Sequence, residues 1–165
     1  MIIETTNLLL RALTPDLVEA IVAGERDGQS WAQDFPTPGD VRVAGAALVG
    51  RATFATDAVP WGLFTVVEKS SEMSIGGIGF KSSPNERGEV EIGYGISGSF
   101  QGRGVATEAV LALCELARRG ARAVIAETDI ENVASQRVLE KSGFRIEAQG
   151  VALIRWRRDL PDAES

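Results

Sequence analysis

The chain has 165 residues, 44% of them hydrophobic and 24% charged, proportions that fit a folded domain of ordinary size able to bury roughly 70% of its unfolded surface. Seventeen basic residues against 23 acidic ones leave a net charge of −6, the wrong sign for a domain that grips phosphates, so no nucleic acid partner is expected. Histidine is absent, which removes the commonest general base, the Ser-His-Asp arrangement and the commonest metal ligand, so no metal is expected.

The stretch Met1-Ile2-Ile3-Glu4-Thr5-Thr6-Asn7 has neither the basic nor the apolar region of a signal peptide, and no apolar run approaches the ~20 residues of a membrane helix. Cys114 is the only cysteine, which leaves no intramolecular disulfide; a soluble, cytoplasmic protein with no membrane partner is expected. Leu8 to Leu13 reads as a strand ended by Thr14-Pro15, where Thr14 caps a helix that begins at Pro15. That helix carries Leu17, Val18, Ala20 and Ile21 and stops near Gly24. Gly28 to Asp40 is a loop holding Trp31, Phe35, Pro36, Pro38 and Gly39. An alanine-rich helix is expected from about Val41 to Ala55.

From Trp61 the period changes. Gly62 to Val67 and Ile75 to Phe80 read as a hairpin around Ser70-Ser71-Glu72. After the polar loop Ser82 to Gly88, residues Glu89 to Ile96 alternate, with Val90, Ile92, Tyr94 and Ile96 on one face and Glu89, Glu91, Gly93 and Gly95 on the other. The loop Ser97 to Arg103 leads into a helix from about Gly104 to Arg119, whose Ala106, Ala109, Val110, Leu113, Leu116 and Ala117 fall at helical spacing. Ala121 to Thr128 reads as a strand, Asn132 to Ser142 as a helix stopped by Gly143, and Phe144 to Ala148 with Val151 to Trp156 as a closing hairpin. The order β-α-α-β-β-β-α-β-α-β-β implies one α/β (α+β) domain over residues 1–165. Its sheet is mostly antiparallel, with parallel crossovers around the Gly104 helix.

Gln101-Gly102-Arg103-Gly104-Val105-Ala106 is a strand-loop-helix junction where two glycines let backbone amides converge at a helix amino terminus. Such a terminus attracts anions, a pyrophosphate among them, although a tight turn before a helix uses the same glycines. Gly102-Arg103-Gly104 also invites a dinucleotide-fold reading, with Glu127 or Asp129 as the ribose carboxylate. Against that reading, three consecutive strands precede the loop, Thr107 stands where a third glycine belongs, and no Walker A sequence occurs.

Four segments in order carry a family resemblance: Glu91-Ile92-Gly93-Tyr94, Gln101-x-x-Gly104-x-Ala106-Thr107-Glu108-Ala109, Asn132-x-x-Ser135 and Leu139-Glu140-Lys141-Ser142-Gly143-Phe144. Together they resemble the RimJ/RimL-like branch of the GNAT acetyltransferase superfamily. Asn7-Leu8-x-Leu10-Arg11 is similar to that branch's amino-terminal strand, with Asn7 in place of its first arginine. The resemblance covers almost the whole chain. It implies the GNAT fold, a central, mixed, mostly antiparallel twisted sheet of about seven strands with about four helices, in which splayed strands form the coenzyme A cleft. It also implies an acyltransferase that moves acetyl from acetyl-CoA to a primary amine, on a small molecule or a protein amino terminus, as a monomer or homodimer. A coenzyme A-binding domain without turnover is the alternative.

The same resemblance assigns roles. The amides of Gln101, Gly102, Arg103, Gly104, Val105 and Ala106 would hold the pyrophosphate, Tyr94 and Ile96 would flank the pantetheine arm, and Asn132 and Ser135 would form a cofactor-side pair. Read alone, Asn132 is a helix cap. Gly93 and Gly95 suit close approach, either by a ligand or by a helix packed above them. Without histidine, Glu91 beside Gly93 is the first candidate base, directly or through water, and Glu89 is the alternative. The family often has a tyrosine acid at the position of Leu139, a pattern this chain departs from, so Ser135 or solvent is left to protonate the sulfur. Trp31, Asp34 and Phe35 fall where the family builds its acceptor pocket, and an aromatic pair in a loop also serves as an anchor to the core. Cys114 sits in an apolar helix with no histidine to activate it, so direct attack in a ternary complex is expected.

Overall fold

Polar side chains start three of the four helices. Thr14 Oγ1 accepts from the Leu17 amide at the head of α1 (Pro15–Ala23). Thr37 and Asp40 form a reciprocal capping box at the head of α2 (Pro38–Leu48), and Asn132 Oδ1 accepts from the Ser135 amide at the head of α4 (Val133–Lys141). The third helix, α3 (Val105–Ala117), starts instead on Gly104, with no side-chain cap. The structure, a computed structural model, describes residues 1–162.

Between these helices run β1 (Ile2–Glu4), β2 (Leu8–Ala12), β3 (Leu63–Glu68), β4 (Met73–Phe80), β5 (Glu89–Ile96), β6 (Ala123–Asp129), β7 (Arg145–Gln149) and β8 (Leu153–Asp159). They form one sheet in the order β1-β2-β3-β4-β5-β6-β8-β7. Every neighbouring pair is antiparallel except β5 with β6, the two strands that flank the α3 crossover. The fold is therefore the expected α/β class, with eight strands rather than about seven.

The extra strand is β1, which pairs Ile2 with Arg11 and Glu4 with Leu9. Three residues are too few for a readable period. The second helix also lies earlier than expected, from Pro38 to Leu48 instead of about 41–55. Its start is set by the Thr37-Pro38-x-Asp40 box, and its end by Gly50 at φ +74°, in the left-handed region. Helix α3 buries Val110, Leu113, Cys114 and Ala117 and packs on β2, β4, β5 and β6. Tyr94 of β5 bonds to α4, so Val90, Ile92, Tyr94 and Ile96 point to the α3/α4 side of the sheet, and Glu89, Glu91, Gly93 and Gly95 to the opposite side.

One carboxylate ties the amino-terminal turn to α3. Glu108 accepts from Thr5 Oγ1 at 2.6 Å, the Asn7 amide at 2.7 Å and Asn7 Nδ2 at 3.0 Å. Burial pushes its carboxyl up, but these donors outweigh burial and leave it below the ordinary carboxylate value. The contribution is therefore present above the unfolded carboxylate range and lost as pH falls through the depressed value. Glu108→Gln is expected to cost roughly 1 to 2 kcal/mol near neutral pH and to flatten the acid side of the stability curve, measured by urea unfolding from pH 7 to 3. An unchanged acid slope would refute this account of the clamp.

Candidate active site

Strand β5 is shared unequally between its neighbours. Toward β4 it pairs from Ile92 to Ile96, but toward β6 it pairs only at Glu89, Val90 and Glu91, opposite Ala123, Val124 and Ile125. Beyond Glu91 the parallel strands part, while β6 continues to Asp129 on β8. A wedge-shaped gap opens between β5 and β6. The Glu91 carbonyl accepts from the Lys81 amide on the β4 side, and the Ile96 carbonyl accepts from Gln101 Nε2. Strand alternation therefore turns the amides and carbonyls of Ile92 and Tyr94 toward the gap.

The carboxyl end of β5 leads through a single turn of 3₁₀ helix, Gly98–Phe100, to the Gln101–Ala106 loop. Gly102 and Gly104 take φ values of +75° and +77°, and among the described residues the amides from Gly102 to Thr107 find no acceptor. These free amides at an uncapped helix terminus form a cradle that fits a pyrophosphate. Gln101 folds back on β5 through its bond to the Ile96 carbonyl, at 2.9 Å, and the Arg103 guanidinium lies 5.1 Å from the Phe100 ring centroid. A cavity of about 490 Å³ lined by Asn7, Lys69, Arg103 and Glu108 adjoins Val105. The larger cavity, about 550 Å³ beside Trp61, Arg119 and Arg122, lies at the other end of β5 and β6. It contains none of the residues singled out from the sequence.

Ser135 and Tyr94 meet across the gap. Ser135 Oγ donates to the Tyr94 hydroxyl at 3.0 Å, and that hydroxyl donates to the Ser135 carbonyl at 3.2 Å. Asn132 is the helix cap, its Oδ1 accepting from the Ser135 amide at 3.1 Å. Burial pushes the Tyr94 phenol above its usual value. Leu139 is fully buried in the core.

On the opposite side of the sheet, Gly77 stands across from Gly95 and Gly79 across from Gly93. No atom lies within 4 Å of where a Gly95 side chain would begin, and only Lys81 Cε, at 3.5 Å, approaches that point on Gly93. These two glycines face open space instead of a helix. Asp40 Oδ1 would sit 2.6 Å from a Gly77 side chain, so α2 closes one end of this shallow floor.

The two candidate bases differ in what holds them. Glu89 accepts from Asn85 Nδ2 at 3.1 Å and from Arg157 Nη1 at 2.6 Å, contacts that hold its carboxyl below the ordinary value. Glu91 has one oxygen on Lys81 Nζ at 2.5 Å, in a pair whose side chains are 30% and 56% exposed, and its other oxygen has no partner among the described residues. An exposed pair of this kind is weak, and Lys81 is free to swing away. Lys81, Asn85 and Arg157 have no short-range signal in the sequence.

Trp31 and Phe35 stack edge to face at 5.5 Å and are only 6% and 1% exposed. Arg26 fastens their loop by donating to the carbonyls of Phe35, at 2.5 Å, and Ala32, at 2.8 Å. Asp34 is exposed, but Ser99 occupies both of its oxygens, through its amide at 2.9 Å and its hydroxyl at 2.7 Å. Those bonds hold the Asp34 carboxyl below its usual value. The structure thus clasps the loop around Asp34 to the turn that precedes the amide cradle. The two aromatics are thus largely buried, and both oxygens of the aspartate are engaged by Ser99.

A model of the acetyltransferase (GNAT) domain matches residues 7–145, most of the chain. The chain belongs to the GNAT acetyltransferase family. A curated relative, the uncharacterized N-acetyltransferase YjdG of Bacillus subtilis, is 31% identical over 93 residues, 55% of this chain and 55% of that protein. The chain thus matches only about half the length of that relative. Among solved structures, a GNAT acetyltransferase from Bacillus anthracis is 19% identical, with 96% of this chain and 98% of that one covered and a TM-score of 0.68. The ribosomal-protein-S5-alanine acetyltransferase of Vibrio fischeri is 17% identical, with both chains fully covered and a TM-score of 0.67. RimL, a ribosomal L7/L12 α-N-protein acetyltransferase solved with coenzyme A, is 21% identical, with 99% and 100% covered and a TM-score of 0.68. These likenesses are of fold alone. Among the described residues, no helix is long and apolar enough to cross a membrane, and no group of three His, Cys, Asp or Glu side chains is placed to hold a metal ion.

Proposed function

We propose that residues 1–165 form one acetyl-CoA-dependent N-acetyltransferase domain that acetylates a primary amine, on a small molecule or a protein amino terminus, by direct attack in a ternary complex. The observation that carries this reading is the gap between β5 and β6, whose β5 edge leads straight into the uncapped amide cradle of α3. In this reading Gln101, Gly102, Arg103, Gly104, Val105 and Ala106 hold the pyrophosphate, and the pantetheine arm runs along Tyr94 and Ile96 to Asn132 and Ser135. The Tyr94 amide, turned into the gap, meets the oxyanion as the amine attacks. Glu91, with a free oxygen on the glycine-floored side, takes the amine's proton directly or through water, and Ser135 faces the sulfur. Trp31 and Phe35 support the acceptor loop from behind, and Asp34 fixes it to the cofactor side. A cytoplasmic protein is part of this reading, and among the described residues no helix is long and apolar enough to cross a membrane.

Cys114 is set apart from this chemistry. It is 2% exposed, and burial pushes its thiol up to about 11. Initial rates with both substrates varied are expected to intersect, and intact mass after acetyl-CoA alone is expected to show no acetyl adduct. Cys114→Ala should keep its turnover and lose about 1 kcal/mol of stability from packing. Parallel initial-rate lines with a kinetically competent adduct would rule out direct transfer. Coenzyme A binding with no thiol release across an amine panel would favour the non-catalytic alternative.

A further inference from the structure

We propose that Tyr94 is the proton source for the departing sulfur, acting through the Ser135 hydroxyl; this rests on the transferase reading above. Tyr94 stands three residues beyond the last β5–β6 pair, on the α4 side of the gap, and its hydroxyl both accepts from Ser135 Oγ at 3.0 Å and donates to the Ser135 carbonyl at 3.2 Å. The two hydroxyls lie 41 residues apart in sequence and join strand to helix across the opening. The Asn132 cap fixes the serine amide, so the serine cannot drift from the tyrosine without undoing the first turn of α4.

A serine alone is a poor acid for this task, because its alkoxide is far more basic than a thiolate. A phenol behind it changes that balance, since tyrosine and thiol acidities lie within about two pH units of each other. A phenol is protonated through the neutral range in any case, and burial pushes that of Tyr94 further up. As the tetrahedral adduct collapses, the carbon–sulfur bond breaks and its electron pair stays on sulfur. The Ser135 O–H bond breaks as the S–H bond forms, and the phenolic proton passes to Ser135 Oγ. Solvent, which receives the proton that the amine gave to Glu91, reprotonates the tyrosinate, so the net change is one proton moved from nitrogen to sulfur. For this, both hydroxyls turn: the Ser135 O–H swings from the Tyr94 oxygen to the sulfur, and the Tyr94 O–H from the Ser135 carbonyl to Ser135 Oγ, one C–O rotation each.

Tyr94 is the only tyrosine in the chain, so biosynthetic incorporation of 3-fluorotyrosine alters this one site, making the phenol more acidic at nearly constant size. The expected result is a high-pH limb of kcat displaced to lower pH in the fluorotyrosine protein. Tyr94→Phe is expected to lower kcat on the order of tenfold to hundredfold, solvent replacing the lost donor, with acetyl-CoA affinity nearly unchanged. Ser135→Ala should cost a similar factor, and the double variant little more than either single one, as for groups that act in series. A pH profile unmoved by fluorination overturns the proposal, even if Tyr94→Phe is slow or fails to fold, because packing would then be the whole effect. Turnover that ignores the phenol overturns this inference alone, whereas a wild-type protein that releases no thiol with any amine overturns the transferase reading and this proposal together.

Discussion

Acetyl-CoA at a hundred times its dissociation constant is expected to raise the melting temperature by roughly 5 to 10 °C, and Gly104→Val is expected to abolish that rise. The size follows from mass action, which supplies about 2.7 kcal/mol at that excess, and from the ~2 to 4 °C per kcal/mol typical of a chain of this length. The substitution works through the backbone. Nothing lies within 4 Å of a side chain at Gly104, so there is room for valine, but φ +77° is a conformation that a β-branched residue rarely adopts. A valine held at that φ would carry roughly 1 to 3 kcal/mol of strain, which the peptide relieves by turning and carrying the Val105 and Ala106 amides away from the cradle. Adenosine alone, without pyrophosphate or pantetheine, should give no rise in the native protein. A well-folded Gly104→Val protein, checked by circular dichroism, that shows an undiminished rise with acetyl-CoA would place the phosphate site elsewhere.

Glu91→Gln is expected to cut turnover by roughly 10² to 10⁴ while leaving acetyl-CoA affinity nearly intact. Glu89→Gln is the comparison, because the two carboxylates lie on the same side of β5 and differ in their partners. Glu89 is engaged by Asn85 and Arg157, whereas among the described residues Glu91 has one oxygen without a partner and shares the other with an exposed lysine. Loss of a carboxylate base should also remove the low-pH limb of the rate and leave any limb due to amine deprotonation. If Glu91→Gln turns over at the native rate at every pH, the proton goes to water or to Glu89 instead.

The strands around the gap were legible because their residues are locally consistent. Glu89 to Ile96 alternates strictly, and its observed bounds match those read from the sequence. Gln101 to Ala106 was readable as a turn into a helix, and Gly102 and Gly104 do take positive φ there, but a tight turn uses the same glycines as an anion cradle. Less could be read where long-range partners decide. Only its place beside Gly93 ranked Glu91 ahead of Glu89 in the sequence; the ion pair that engages Glu89 comes from Arg157, arriving from β8 two crossovers later. Trp31 and Phe35 were readable as an aromatic pair in a loop, but their burial was not, since it follows from the Arg26 bonds to that loop and their own stacking. The Thr37-Pro38-x-Asp40 signal for the start of α2 was present, but the alanines after Val41 extended the expected helix too far, because alanine favours a helix without fixing where one ends.

Glu91 and Tyr94, three residues apart on one strand, necessarily sit on opposite sides of the sheet. In the transferase reading proposed above, the sheet is a partition with a slot in it, and the two reactants use separate docks. A thioester lodged against α4 does not obstruct an amine arriving over Gly93 and Gly95, and neither product has to leave past the other. An inhibitor that joins the two reactants must therefore thread the slot. Its linker should tolerate little branching where β5 and β6 first part, and considerable bulk on either side of that point.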